Sequence, residues 1–92
     1  SIQYVGLEEL FAEKISVYPN PFDNEIIINS EIEDQSFSVI LRDLLGRMVI
    51  APTTLLSGQV NVKTDQLKKG VYSLFLLDAN YNVIRTEKVV KH

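Results

Sequence analysis

The sequence predicts an all-β domain, an antiparallel sandwich of about seven strands in the immunoglobulin-like or fibronectin-like manner. Three observations predict it. Short β-branched and aromatic runs recur along the chain, turn signals separate them at the roughly 8–12-residue spacing of sandwiches, and no apolar pattern of helical period exceeds one turn. A small closed barrel is the alternative that such a pattern leaves open. Two packed layers are favoured because the run from Gly70 to Leu77 is apolar at successive positions and asks for cover on each side.

The elements follow in order. Residues 1–13 hold Leu7-Glu8-Glu9-Leu10-Phe11-Ala12, enough for one helical turn but too short to stand alone, and are read as a linker to a larger upstream protein. The chain begins at Ser1 rather than methionine, which fits a piece of a longer polypeptide. The folded domain is expected over residues 14–92. Lys14 to Tyr18 alternates with period two and runs into Pro19-Asn20-Pro21, where the prolines remove ladder donors and hold Tyr18 and Asn20 extended, giving a stiff strand exit. Phe22-Asp23-Asn24 is a turn. Glu25 to Asn29 is a strand with Ile26 and Ile28 on one face. Glu31 to Gln35 is a polar connection, and Ser36 to Arg42 a strand with Phe37, Val39 and Leu41 together.

Asp43-Leu44-Leu45-Gly46-Arg47 closes a hairpin, Asp43 bonding the turn backbone and Gly46 supplying positive φ. Met48 to Ala51 is a strand that Pro52 is expected to end, with Thr53 and Thr54 either continuing it past a bend or belonging to a loop. Ser57-Gly58 signals a turn. Gln59 to Lys63 alternates with Val60 and Val62 inward, and Thr64 to Gly70 is a corner with Leu67 plugging the core. The last hairpin joins Gly70–Leu77 to Val83–Lys91 through Asp78 to Asn82. Its second arm mixes Val89 and Val90 with Arg85, Lys88 and Lys91, as expected of a strand with one wet face.

Composition narrows the function classes. The 92 residues are 46% apolar and 23% charged, ordinary for one folded domain and unlike a disordered chain. No apolar run reaches the roughly 20 residues of a bilayer-spanning helix, and the start has no signal-peptide pattern. There is no cysteine, which excludes disulfides and thiolate chemistry. The net charge of −3 hides an asymmetry: residues 1–43 carry nine acids against two bases, residues 44–92 three against seven. Those bases are scattered over several turns and strands, which argues against a nucleic-acid partner.

No catalytic, cofactor or metal constellation emerges. The single histidine is the terminal His92, no carboxylate pair is fixed by a motif, and Glu31, Glu33 and Asp34 lack the glycine-centred spacing of a calcium loop. Tyr72 is read as packing, with its hydroxyl reaching water.

Four segments stand in order: Val17-Tyr18-Pro19-Asn20-Pro21-Phe22, Asp43-Leu44-Leu45-Gly46-Arg47, Leu67-Lys68-Lys69-Gly70-Val71-Tyr72 and Lys88-Val89-Val90-Lys91. Each is common alone. Together, at these spacings, they resemble the C-terminal sorting domain of the type IX (Por) secretion system, found at the ends of large exported Bacteroidetes proteins. The resemblance covers residues 14–92, and His92 departs from the many relatives that stop at or near the basic residue. It implies an Ig-like sandwich without enzymatic activity, recognised by the outer-membrane translocon while joined to upstream cargo. It also implies cleavage by a separate sortase-like protease before or within residues 1–13, destination at the outer-membrane surface or outside the cell, and in some members attachment of the cargo to anionic lipopolysaccharide.

On that reading Lys88, Val89, Val90 and Lys91 are the recognition segment. Lys88 and Lys91 are an odd number of residues apart and point to opposite faces, so a partner reading both must hold the strand at its edge or end. The competing account is that these lysines only discourage edge aggregation. Pro19, Asn20, Pro21, Asp43, Gly46, Gly70 and Tyr72 are read as motif residues that shape the fold. The runner-up function is an accessory module that binds carbohydrate or protein through exposed aromatics, with Tyr4, Tyr18, Phe22 and Tyr81 as the side chains to inspect. A structural spacer is the third.

Overall fold

A computed structural model describes residues 14–31, 36–55 and 58–92. The expected turn at Leu7–Ala12, most of the polar connection after Glu31 and the Ser57 side of one turn lie outside those residues. Seven strands run β1 (Ile15–Tyr18), β2 (Glu25–Ser30), β3 (Phe37–Arg42), β4 (Met48–Leu55), β5 (Gly58–Lys63), β6 (Gly70–Leu77) and β7 (Val83–Lys91). They form two antiparallel sheets, β1-β2-β5 and β4-β3-β6-β7, so the expected sandwich is the observed architecture.

Alternation builds the core. Ile26 and Ile28 of β2, Phe37, Val39 and Leu41 of β3, Val62 of β5 and Tyr72, Leu74 and Leu76 of β6 face one another across the layers and are buried, with Ile15, Phe22 and Val89 completing the cluster. Each position lies two residues from its neighbour on the strand, which is the spacing that keeps side chains on one face. Leu67 packs against this cluster from the corner before β6, as expected. The absence of buried side-chain polar atoms without partners among the described residues is what a folded interior requires.

Two expectations need correction. Pro52 does not end β4, which continues to Leu55. The strand lies at the edge of its sheet, where a missing N–H costs no ladder bond, and the β3–β4 register shifts between Val39 and Leu41, absorbing the irregularity. The run Gly70–Leu77 is not covered by a layer on both faces either. Tyr72, Leu74 and Leu76 enter the core, whereas Val71, Ser73 and Phe75 are half-buried on the outside, where the Arg42 guanidinium lies 6.0 Å from the Phe75 ring. Neighbouring side chains on the same sheet supply that cover.

Candidate functional site

The first, third and fourth motifs meet at one end of the sandwich, where β1 ends and β6 begins. β7 is an edge strand, paired with β6 alone from Gly70↔Lys91 to Leu76↔Arg85 without a break in register. Its other edge is closed near the C-terminus by the segment after β1. Phe22 N–H donates to the Val90 carbonyl at 2.8 Å and His92 N–H to the Phe22 carbonyl at 3.0 Å, a parallel bridge. Just before it, the Asn20 side chain imitates one more strand residue: its Nδ2 donates to the Lys88 carbonyl at 3.0 Å and its Oδ1 accepts from Val90 N–H at 3.0 Å. A side-chain amide carries one donor and one acceptor in the same plane, as a peptide does.

The prolines fit this arrangement. The Tyr18–Pro19 and Asn20–Pro21 bonds are both cis. Sequence reasoning read this segment as a strand exit that binds nothing; in the structure it ends β1 and holds the last strand of its own domain. Asn20 was named among the residues that shape the fold, but its bonds to β7 were not foreseen. The polar side chain between two prolines was the available signal, but its partner lies 70 residues away.

Residues Lys88–Lys91 divide by parity. Within this segment the odd positions face the core: Val89 is wholly buried and Lys91 only 8% exposed. The Lys91 Nζ donates to the Thr64 carbonyl. Thr64 is itself buried, its N–H donating to the Asn24 carbonyl at 2.8 Å, its Oγ1 to the Asp23 carbonyl at 3.2 Å, and its carbonyl also accepting from Leu67 N–H at 3.0 Å. Lys88 is exposed and Val90 half-exposed. The expected opposition of the two lysines is therefore present: Lys88 and Val90 lie towards solvent, while Val89 and Lys91 are enclosed by the folded domain.

The same parity sets the backbone. Since the Lys88 carbonyl and the Val90 and His92 amides point away from β6, so do the amides of Thr86 and Lys88. Among the described residues no strand pairs with that stretch of the β7 edge.

Tyr72 also departs from expectation. Its hydroxyl donates to the Lys68 carbonyl at 2.5 Å rather than reaching water, and its ring meets Phe22 at 6.3 Å between centroids, tilted by 54°. A tyrosine near the start of this strand, bonded to backbone a few residues upstream, is the corner tie of immunoglobulin-like sandwiches. Gly70, at φ 147°, opens the strand in a conformation that side chains disfavour.

Asp43 and Gly46 act as expected. Asp43 Oδ1 accepts from Leu45 N–H and Arg47 N–H, each at 2.9 Å, and Oδ2 from Arg47 Nε at 2.7 Å, while Gly46 takes φ 82°. Partial burial pushes the Asp43 carboxyl up, but the Arg47 amide, Arg47 guanidinium and Leu45 amide together outweigh it and hold the pKa below the usual value. An unrecognised twin closes the β6–β7 hairpin. Asp78 Oδ1 accepts from Asn80 N–H at 2.9 Å and Asn82 N–H at 2.8 Å, Oδ2 from Asn82 Nδ2 at 3.2 Å, and Tyr81 takes φ 63° where the first turn has glycine. The Asn82 amide above all lowers the Asp78 pKa. An Asp followed four residues later by a side-chain donor was the signal for both.

Among the described residues the aromatics do not gather into a binding face. Phe22 is buried, Tyr18 lies at the β1 exit, Tyr81 occupies the far hairpin, and Tyr4 is outside the described residues.

Among solved structures, the chain is similar to PorZ, a bacterial surface component of the type-IX secretion system of Porphyromonas gingivalis, at 18% identity and TM-score 0.62; the match covers 94% of this chain and 12% of PorZ. It is also similar to a β-glucosidase from Listeria innocua, at 17% identity and TM-score 0.41, over 84% of this chain and 15% of that one. The likeness to PorZ is one of fold. No curated protein matches the chain. The profile of the secretion system C-terminal sorting domain family matches residues 16–92. That span takes in all four motifs and the seven strands but for Ile15, the first residue of β1, so the chain belongs to the secretion system C-terminal sorting domain family and serves the sorting of an exported protein by type IX secretion.

Proposed function

We propose that the folded domain, rather than the linear sequence of its last residues, is the export signal, and that the outer-membrane translocon reads it along the free part of the β7 edge with Lys88 as the charged contact. The observation that carries this reading is the division of β7: its C-terminal end is closed by Asn20 and Phe22, while the amides of Thr86 and Lys88 face outward beside an exposed ammonium. An open edge gives a partner strand main-chain bonds, and a flanking side chain gives selection. The domain does no chemistry itself. Cargo precedes it, residues 1–13 are the linker, and a separate sortase-like protease cuts before or within them once the protein reaches the cell surface.

The test is a secreted reporter ending in residues 1–92, expressed in a type IX-competent host. Thr86→Pro removes one outward N–H on an edge strand, where proline is tolerated, and Lys88→Glu reverses the exposed charge. Both variants are expected to fold, as judged by melting, and to leave the reporter in the periplasm. Export of both at the parent level would end the edge reading.

A further inference from the structure

The two Asp-anchored hairpins allow a comparison within one molecule. Their hydrogen bonds correspond atom for atom at the first, third and fifth positions, and the fourth takes positive φ. The second and third positions contribute no side chain to the turn. Ala79 and Asn80 occupy them in the β6–β7 hairpin, whereas Leu44 and Leu45 occupy them in the β3–β4 hairpin and stand 76% and 77% exposed, with Met48 at 47% beside them. The turn geometry thus gives no reason for the two leucines. Large apolar side chains left in water at a hairpin apex call for another cause.

Cations surround them. Arg47 is 73% exposed on its side chain, and Lys68 and Lys69, both exposed, stand across an open groove of about 550 Å³ that the hairpin tip shares with the corner before β6. The only acid lining that groove among the described residues, Asp43, is already bonded to Arg47. The far hairpin, with the same turn, has no lysine or arginine from Leu77 to Ile84. Convex apolar apex and cationic shoulders occur together at one end only.

We propose that the β3–β4 tip docks on an anionic lipid surface, Leu44 and Leu45 entering the interface while Lys68 and Lys69 face the headgroups. Shallow insertion of apolar side chains combined with a basic fringe is the two-part attraction that holds peripheral proteins at membranes. An apex projects outward from the domain, which suits a planar surface better than a peptide lying in a cleft. This goes beyond the sorting reading and stands or falls without it, because lipid binding is measured on the isolated chain.

The experiment is co-sedimentation of residues 1–92 with phosphatidylcholine vesicles, with and without phosphatidylglycerol. Binding is expected to require the anionic lipid and to disappear at high salt. Each of Lys68→Gln and Lys69→Gln should lower the partition coefficient about fivefold, the effect of about 1 kcal/mol per cation near a charged surface. The double variant Leu44→Ser with Leu45→Ser should lower it at least tenfold at unchanged melting temperature. A Leu45→Trp variant should show a blue-shifted emission with anionic vesicles alone. Equal partition into both vesicle types, or vesicle binding unaffected by the leucine substitutions, overturns the proposal. So does a leucine variant that binds vesicles normally but no longer exports a reporter, since the tip then meets a protein.

Discussion

Replacing Lys91 with methionine separates folding from recognition. Methionine keeps most of the buried stem and removes the ammonium, so the Thr64 carbonyl loses one donor but keeps Leu67 N–H at 3.0 Å. A hydrogen bond from a charged donor contributes about 1.5–3 kcal/mol. Against that, the folded state no longer desolvates a cation, a cost of several kcal/mol. The two terms nearly cancel, and Lys91→Met should stay within about 1 kcal/mol of the parent. Lys91→Glu differs in kind, because it aims an unpaired carboxylate at a carbonyl oxygen inside the fold. It should cost about 3–5 kcal/mol, which for a domain of this size lowers the melting temperature by more than about 12 °C. The assay is urea and thermal unfolding of residues 1–92, run beside reporter export. Lys91→Met should melt and export like the parent, whereas Lys91→Glu should fail at both. Normal melting of Lys91→Met with the reporter left in the periplasm would show that the ammonium itself is read, and would refute the structural role argued for it.

Further outcomes follow from the same geometry. Asn20→Ala removes both side-chain bonds to β7 and, because the site is exposed to water, should cost about 1–2 kcal/mol, read as a lower urea midpoint together with faster hydrogen exchange at the Val90 amide. Asp43 and Asp78 both have folded pKa values below the ordinary carboxylate value; their contribution to stability is therefore complete above that value and lost as the pH falls through it towards the folded pKa. Acid unfolding titrations should show a shallower pH dependence below about pH 4 in Asp43→Asn and Asp78→Asn. Tyr81 holds a left-handed conformation while 68% exposed, so Tyr81→Gly should raise stability by about 0.5–1 kcal/mol; a lower melting temperature would mean that the ring packs usefully.

Reading the strands from sequence worked where period and punctuation were both local. Ile26 with Ile28 and Phe37 with Val39 and Leu41 lie on the faces that alternation assigns them, and Gly70–Leu77 begins and ends where Gly70 and Asp78 mark it. Pro52 misled because its meaning depends on whether the strand is central or at an edge, and pairing decides that. Lys88 and Lys91 looked alike in sequence, two bases flanking two valines, and opposite exposure followed once parity in β7 met the enclosed corner at Thr64.

What the sequence determined by itself was the class: short alternating strands, turns built on Asp43 and Gly46, and four motifs whose order marks the family. Local interactions encode these, since a side chain's face, a turn's hydrogen bonds and a glycine's φ depend on residues within about five positions. Only the tertiary structure decided which residues of the final strand meet solvent and that Asn20 closes its edge. Those facts rest on contacts between segments 27 to 70 residues apart, a separation at which chain order says nothing about proximity and packing alone brings the partners together.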